Sequence, residues 1–145
     1  MIMGTLVISQ AEIRSLLPMR QCIDVVRDAL ATLATGDALL PLRSVMWLPD
    51  RVGALGMMPA FLGPSGTFGV KTVSVFPGNA GTELDSHQGT VMLFDAENGS
   101  LRAIVDATEI TAIRTAAASA VATSALANNA LANNALANNA LANNG

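Results

Sequence analysis

One lysine in this chain lies where an ammonium group could do chemistry. Lys71 is the only lysine among 145 residues, against seven arginines, and it lies inside the apolar run Gly69-Val-Lys-Thr-Val-Ser-Val-Phe-Pro77. Strand side chains alternate between faces, so Lys71 would share a face with Val73 and Val75. Partial desolvation there favours the neutral amine, which suits proton transfer or the binding of a substrate carboxylate. The alternative is an edge-strand lysine that opposes aggregation.

Three further side chains are candidates for binding an anion or a substrate. Arg114 is the only charged residue after Glu109, and its small neighbours would let a ligand reach its planar donors. The alternative for Arg114 is a solvated helix residue. Arg43 begins a predicted strand, where it is either a third anion-binding cation or an ordinary surface arginine. His87 precedes another strand and either positions a substrate or organises a turn.

Composition excludes several other kinds of site. With one histidine and one cysteine, the chain cannot assemble a structural zinc site, and it has neither a Gly-x-Gly-x-x-Gly nor a Gly-Lys-Ser/Thr phosphate loop. A net charge of -3 opposes nucleic-acid binding. The apolar stretches are interrupted before the roughly 20 residues of a membrane span, and the opening residues do not resemble a signal peptide. We therefore expect a cytoplasmic protein, with Cys22 as a buried and inert thiol.

Periodicity predicts a strand and two helices before the first candidate residue. Residues 5–9 are β-branched and apolar, and Ser9 with Glu12 has capping-box spacing for a helix over about 10–16. Apolar residues three and four apart predict a second helix over 19–35, which ends at Gly36.

The next part of the chain has the pattern of a sheet. Short apolar runs between residues 43 and 107 predict four to six strands, and the Asn98-Gly99 pair predicts a tight turn that joins 90–94 and 101–105 in an antiparallel hairpin. An Ala-rich helix over about 109–126 follows, capped by Asp106 and Glu109. The predicted fold is α+β, with a mixed, largely antiparallel sheet and flanking helices.

The tail after this helix differs in kind. From Ala125 the chain repeats Ala-Leu-Ala-Asn-Asn and stops at Gly145. A five-residue period gives no continuous apolar stripe on a helix or a strand. We predict one domain over 1–125 and a low-complexity tail over 126–145 that begins as a fraying extension of the helix. An engineered or replication-slippage origin and a selected function remain alternatives for the tail.

Three blocks of this sequence, taken together, resemble the ornithine cyclodeaminase and mu-crystallin family. They are Gly69-Val-Lys-Thr-Val-Ser-Val-Phe-Pro-Gly-Asn79, Ser86-His-Gln-Gly-Thr-Val-Met-Leu-Phe-Asp95 and the segment from Asp106 that contains Ile-Thr-Ala-Ile-Arg-Thr-Ala-Ala-Ala-Ser119. Leu16-Leu-Pro-Met19 and Met57-Met-Pro-Ala-Phe61 fit the same pattern. The resemblance covers about residues 5–125.

The resemblance implies a function for the candidate cations. Family members use NAD or NADP to deaminate amino acids or to reduce cyclic imines. By this resemblance Arg43, Lys71 and Arg114 bind the substrate carboxylate of an amino or imino acid, and Lys71 is also catalytic through water activation or proton transfer. Thr90 and Arg114 match positions that contact the cofactor. The family also implies a homodimer built through this substrate-binding domain.

The sequence departs from the family after the helix that carries Arg114. There the family continues into a Rossmann domain, whereas this sequence has the repeats. We therefore expect no tight NAD or NADP binding and no activity by this chain alone, because hydride transfer needs a nicotinamide held against the substrate. Two alternatives are a non-catalytic ligand-binding or dimerisation module and a designed or truncated sequence without a selected function.

Overall fold

A computed structural model describes residues 4–142 of the chain. It contains seven strands and three α-helices, with short 3-10 turns at Pro49–Arg51 and Pro77–Asn79. In chain order the elements are β1 (Leu6–Ile8), α1 (Gln10–Leu16), α2 (Met19–Thr35), β2 (Ala38–Leu39), β3 (Ser44–Trp47), β4 (Ala54–Leu62), β5 (Thr67–Val75), β6 (His87–Asp95), β7 (Leu101–Asp106) and α3 (Ala107–Ala142).

The strands form one mixed sheet in the order β1-β7-β6-β5-β4-β2, and β3 also pairs with β4. Only the short β1 runs parallel to its neighbour, β7, and the other pairs described are antiparallel. The nine-residue strands β4, β5 and β6 form the centre of the sheet. The predicted α+β class with a largely antiparallel sheet is confirmed.

The first two helices have the bounds that the sequence predicts. Ser9 donates its backbone N–H to the Glu12 carboxylate over 2.8 Å, which is one half of a capping box. Helix α2 ends at Gly36, whose φ of 87° lies in the left-handed region that favours glycine. Cys22 is buried on α2 with 3% of its surface exposed, as expected.

The predicted hairpin forms, but its turn differs from the expectation. Strands β6 and β7 pair antiparallel with Val91 opposite Val105. Gly99 adopts a φ of 74°, whereas Asn98 is not among the described residues with positive φ. The loop is instead organised by the Asp95 carboxylate, which accepts backbone N–H bonds from Glu97 and Asn98. A longer loop of this kind does not need positive φ at both positions.

Helix α3 is longer at both ends than the sequence analysis predicts. It begins at Ala107, where the Asp106 carboxylate accepts the Thr108 N–H over 2.9 Å, and it continues through the repeats to Ala142. The predicted end near residue 126 is wrong. Alanine and leucine favour helix strongly, and no glycine or proline interrupts this stretch. Residues 143–145 of the predicted tail lie outside the described part of the chain.

The apolar core lies on one face of the sheet. Ile13 of α1 packs with Ala103 and Val105 of β7, and these three form the buried cluster. Half-buried side chains surround this cluster, namely Ile8, Leu17, Val91, Leu93, Ile110 and Ile113. The core residues of α1 and α3 therefore cover the β6 and β7 part of this face.

The opposite face of the sheet, the open face, carries apolar side chains that are exposed or half-buried. Register places Met57, Val70 and Met92 on this face, because they alternate with residues of the core face. Met57 is 37% exposed and Met46 on β3 is 52% exposed. An apolar sheet face left in this state is a candidate for association.

Close pairing of the central strands predicts that Gly69→Ala destabilises the fold. A methyl group at Gly69 on β5 would collide with the Met92 carbonyl oxygen and the Leu93 side chain on β6. We expect the free energy of unfolding to fall by about 1–3 kcal/mol, as for other overpacked sites. Urea denaturation followed by circular dichroism measures this loss. Gly78→Ala is the matched control, since its methyl group meets nothing within 4 Å. Equal losses in both variants would contradict the prediction.

Candidate functional site

A cavity of about 430 Å³ lies between the sheet and the first turns of α3. It contains three of the side chains that the sequence singles out: Arg43, Lys71 and His87. The other lining residues are Met58, Val73, Val75, Gly89, Ala107, Thr108, Thr111 and Ala112. Cations within an otherwise apolar and neutral lining make this cavity the candidate site.

Lys71 lies in the centre of the sheet. It is opposite Met58 on β4 and opposite Val91 on β6, so strands flank it on both sides. The alternative of an edge-strand lysine is therefore wrong. Val73 and Val75 line the same cavity, which confirms the shared apolar face expected from strand alternation.

The Lys71 ammonium is held by the first turns of α3. Its Nζ donates a hydrogen bond to Thr111 Oγ1 over 2.6 Å, and Thr111 Oγ1 donates in turn to the Ala107 carbonyl oxygen. A threonine hydroxyl has one hydrogen, so Thr111 can only accept from Lys71 while it donates to Ala107. An ammonium has three N–H donors, and two of them are left for a ligand.

The surroundings of Lys71 favour its neutral form. Desolvation is the main cause that lowers the pKa of Lys71 below 10.5, and the positive charge of Arg114 adds to it. The ion pairs among residues 4–142 are made by Arg14, Arg27 and Arg102, and none of them involves Lys71. Among the described residues, no aspartate or glutamate lines the cavity. Lys71 is therefore a partly desolvated cation without a carboxylate beside it.

Arg43 reaches the cavity from the residue just before β3. The pairing of Ser44 with Met57, continued by one residue, sets Arg43 opposite Met58, which is itself opposite Lys71. Arg43 thus lies in the same row across the sheet as Lys71, and it remains exposed to solvent. An exposed guanidinium group at a cavity wall can receive an incoming carboxylate through two N–H donors.

The structure places the other two predicted residues outside the cavity lining. Arg114 is exposed on α3, one helical turn after Thr111, and it acts on Lys71 through its charge. Thr90 is opposite Thr72, and the register sets it on the sheet face away from Lys71. The predicted contacts of Thr90 and Arg114 with a cofactor stay predictions.

Thr111 and Met58 are two of the lining residues that the sequence analysis missed. Thr111 is three residues before Arg114, a spacing that places both on one side of a helix, so helical periodicity from Arg114 would have found it. Met58 gave no signal, because only the pairing of β4 with β5 sets it beside Lys71. His87 begins β6, where its Nδ1 lies 3.1 Å from Ser86 Oγ, so it both contributes to a turn and lines the cavity.

The arrangement is suited to binding a small anion. Two cations from β5 and the start of β3 meet in a cavity whose other walls are mostly apolar, where charge-assisted hydrogen bonds are stronger than in water. No cluster of three or more His, Cys, Asp or Glu side chains that could hold a metal ion occurs within the described residues. Fold and cavity together define an α+β domain whose cavity has the charge and the size to suit an acidic ligand.

Comparison with known proteins gives the family of this domain. The profile of the ornithine cyclodeaminase/mu-crystallin family matches residues 3–137. Ketimine reductase mu-crystallin from Mus musculus is 43% identical over 85 residues, which cover 59% of this chain and 27% of that protein. The chain belongs to the ornithine cyclodeaminase/mu-crystallin family, as its motifs suggested.

Two solved structures share the fold. Δ(1)-Pyrroline-2-carboxylate reductase from Thermococcus litoralis, in complex with NADH and L-proline, aligns with a TM-score of 0.78 and 35% identity, covering 82% of this chain and 37% of that one. An archaeal alanine dehydrogenase dimer with bound NAD aligns with a TM-score of 0.74 and 34% identity, covering 80% and 35%. The chain spans about a third of the length of these relatives.

The hydrogen bond between Lys71 and Thr111 predicts a pKa change in Thr111→Val. Valine has a similar shape but accepts no hydrogen bond, so the ammonium loses a partner and the pKa of Lys71 falls further. As Lys71 is the only lysine, its side-chain NMR resonances report the titration directly. Thr111→Ser keeps the hydroxyl and is the control that should retain the wild-type pKa. A pKa that is equal in the valine and serine variants would contradict this prediction.

The same pKa shift fixes the sign of one pH effect. With the pKa of Lys71 lower in the folded chain than the 10.5 of the free side chain, the unfolded chain binds more protons between the two values. The contribution of Lys71 to the free energy of unfolding therefore rises with pH in that window. Thr111→Val widens the window towards lower pH.

Proposed function

We propose that this chain forms the carboxylate-binding part of an enzyme that reduces imino acids or deaminates amino acids with NAD or NADP. Arg43 and Lys71 bind the carboxylate of the ligand, and Arg114 adds positive potential from α3. The observation that carries this proposal is the shared cavity of Arg43 and Lys71, with Lys71 oriented by Thr111. Its support from relatives is the L-proline bound to the Thermococcus litoralis reductase.

In this proposal Lys71 is also the catalytic residue. Its lowered pKa makes the neutral amine more accessible than in a free lysine, and the neutral amine can accept a proton from a bound water or from the substrate amine. The Thr111 bond holds its nitrogen at the wall of the cavity. Proton transfer needs this kind of fixed donor or acceptor close to the reacting atom.

A bound dinucleotide would donate the hydride to an imino acid or accept it from an amino acid, and two relatives hold NADH or NAD. A dinucleotide pyrophosphate is normally bound by a Gly-rich turn before a helix, and the glycines of this chain do not form a Gly-x-Gly-x-x-Gly motif. The residues of this chain fit the acidic ligand and not the dinucleotide phosphates. Thr90 and Arg114 are proposed to contact the cofactor only within a larger assembly that binds it.

We place this protein in the cytoplasm, as the sequence analysis predicts. The segment Ala107–Ala127 of α3 is long and apolar enough to cross a membrane by length and composition alone. The start of the same helix contributes Ile110 and Ile113 to the sheet core and carries Thr111 to Lys71. A helix that packs on a sheet in this way fits a water-soluble domain.

The proposed ligand site predicts that L-proline binds and that its amide does not. The carboxylate supplies the charge that Arg43 and Lys71 recognise, so prolinamide should give no measurable heat in isothermal titration calorimetry. Arg43→Gln and Lys71→Gln should each weaken L-proline binding about tenfold or more, the usual cost of one charge-assisted hydrogen bond.

Arg27→Gln is the matched control for this measurement. Arg27 is an exposed arginine of α2 that pairs with Asp24 over 2.7 Å and does not line the cavity. Its loss changes the net charge as Arg43→Gln does, but it should leave binding unchanged. Equal binding of L-proline by all three variants would refute the proposed site.

We also propose that the open face of the sheet forms a homodimer. Its exposed apolar side chains on β3 and β4 and its half-buried ones on β5 and β6 have no helix over them among the core contacts described. The alanine dehydrogenase relative is itself a dimer. Pairing of two copies through one self-complementary apolar face would bury these side chains with two-fold symmetry.

A charge at the centre of the open face should therefore produce a monomer. Val70 lies in the middle of β5 on this face, so Val70→Glu would place two carboxylates in the apolar contact, where ion burial is costly. Sedimentation equilibrium should show a dimer for the wild type and a monomer for this variant. Val25→Glu on α2 is the control, because Val25 is 60% exposed on a helix outside the open face. A dimer that persists in Val70→Glu would contradict the interface.

A further inference from the structure

We propose that Lys71 forms a Schiff base with small α-keto acids inside its cavity, an activity that requires no dinucleotide. The proposal rests on the proposed function in one respect, since it uses the same carboxylate recognition. It adds a covalent step that the recognition of an amino or imino acid does not need. The ligand class is a small molecule with a ketone carbon directly bonded to a carboxylate.

The hydrogen bonds around Lys71 leave its nitrogen accessible as a nucleophile. Because the single hydroxyl hydrogen of Thr111 goes to the Ala107 carbonyl, Thr111 can only accept from Lys71. A neutral amine at this position gives one N–H to Thr111 and keeps its lone pair free of that bond. The cavity provides the space in which this lone pair can meet a carbonyl carbon.

The charged groups around this amine all favour the neutral form or leave it unaffected. Its sheet neighbours Met58 and Val91 are uncharged, and the cations near it are Arg43 at the cavity wall and Arg114 on α3. His87 is the remaining titratable side chain of the lining. Lysines in apolar pockets beside a second cation are activated in this way as nucleophiles.

Arg43 supplies the reason for a keto acid rather than a simple ketone. The carboxylate of the ligand would pair with the guanidinium group of Arg43, which lies in the same row across the sheet as Lys71. The ketone carbon is the next atom along the ligand, so this pairing directs it towards the amine. A cavity of about 430 Å³ has ample room for a molecule of three or four carbon atoms.

The step balances without an oxidant or a reductant. The Lys71 nitrogen attacks the ketone carbon and forms a C–N bond, which gives a carbinolamine after a proton moves to the ketone oxygen. That oxygen then leaves as water with the second amine hydrogen, and the C–O bond is replaced by a C=N bond. Water addition to the imine reverses the reaction and returns the free amine.

The experiment is reductive trapping of the full chain with pyruvate and sodium cyanoborohydride, followed by peptide mass mapping. The reductant delivers hydride to the imine carbon and makes the adduct permanent. In the recombinant chain the N-terminal amine is the one other amine that can react, so it is an internal reference. Acetone in place of pyruvate tests the carboxylate, because it presents the same methyl ketone without the acid.

We expect Lys71 to carry a 1-carboxyethyl group, the product of reducing the pyruvate imine. This group should form faster on Lys71 than on the N-terminal amine. Arg43→Gln should slow trapping by pyruvate about tenfold, as expected for the loss of a charge-assisted contact, and should not slow trapping by acetone. Arg27→Gln should behave as the wild type with both compounds. Equal rates for pyruvate and acetone, or an unchanged rate in Arg43→Gln, would overturn the carboxylate-directed step.

Calorimetry with pyruvate, in the absence of reductant, separates the two proposals. If pyruvate binds and its binding is lost in Arg43→Gln, but no adduct forms on Lys71, the Schiff base is refuted and the carboxylate site stands. If neither pyruvate nor L-proline binds and no adduct forms, both proposals are wrong. An adduct on Lys71 with the expected dependence on Arg43 supports the inference.

Discussion

The arrangement of sheet and helix depends on one contact. The ammonium group of Lys71, on a central strand, needs a hydrogen-bond acceptor from the helix above it. Lys71 has strands on both sides and is partly removed from water, so its N–H groups need acceptors from another layer. Thr111 provides one, and this bond fixes the first turns of α3 over β5 and β6. The approach is close at Gly89, where a Cβ atom would lie 3.3 Å from that of Ala107. Small residues on both layers therefore make the Lys71 contact possible.

Charge is distributed unevenly around this contact. Glu109 and Asp95 are engaged by Arg14 and Arg102 at 3.0 Å each, and Asp106 caps the start of α3. These three carboxylates, which lie near the two ends of β7, therefore bind arginines or a backbone N–H group and do not line the cavity. The cavity keeps its cations without a carboxylate among the lining residues described, and an acidic ligand can provide the missing charge.

The two faces of the sheet differ in what covers them. One face carries the apolar core and the cavity under α1 and α3, and the other carries exposed methionine side chains beside half-buried valine and phenylalanine side chains. Relatives about three times as long contain this same unit with a bound dinucleotide. This unit makes up about a third of those relatives, and in the proposed function it supplies the carboxylate-binding side of the site.

The sequence by itself determined the local elements and the family. Capping at Ser9 and Gly36 set the bounds of the first two helices, and the single lysine in an apolar strand marked the candidate site, because these signals act between near neighbours in the chain. The sequence misjudged the turn at Asn98 and the length of α3. Only the tertiary structure decided that Lys71 is central rather than at an edge, that Thr111 holds it, and that Thr90 lies on the other face. These facts depend on strand order and register, which bring together residues far apart in sequence. No single segment of the sequence shows which strands will pair.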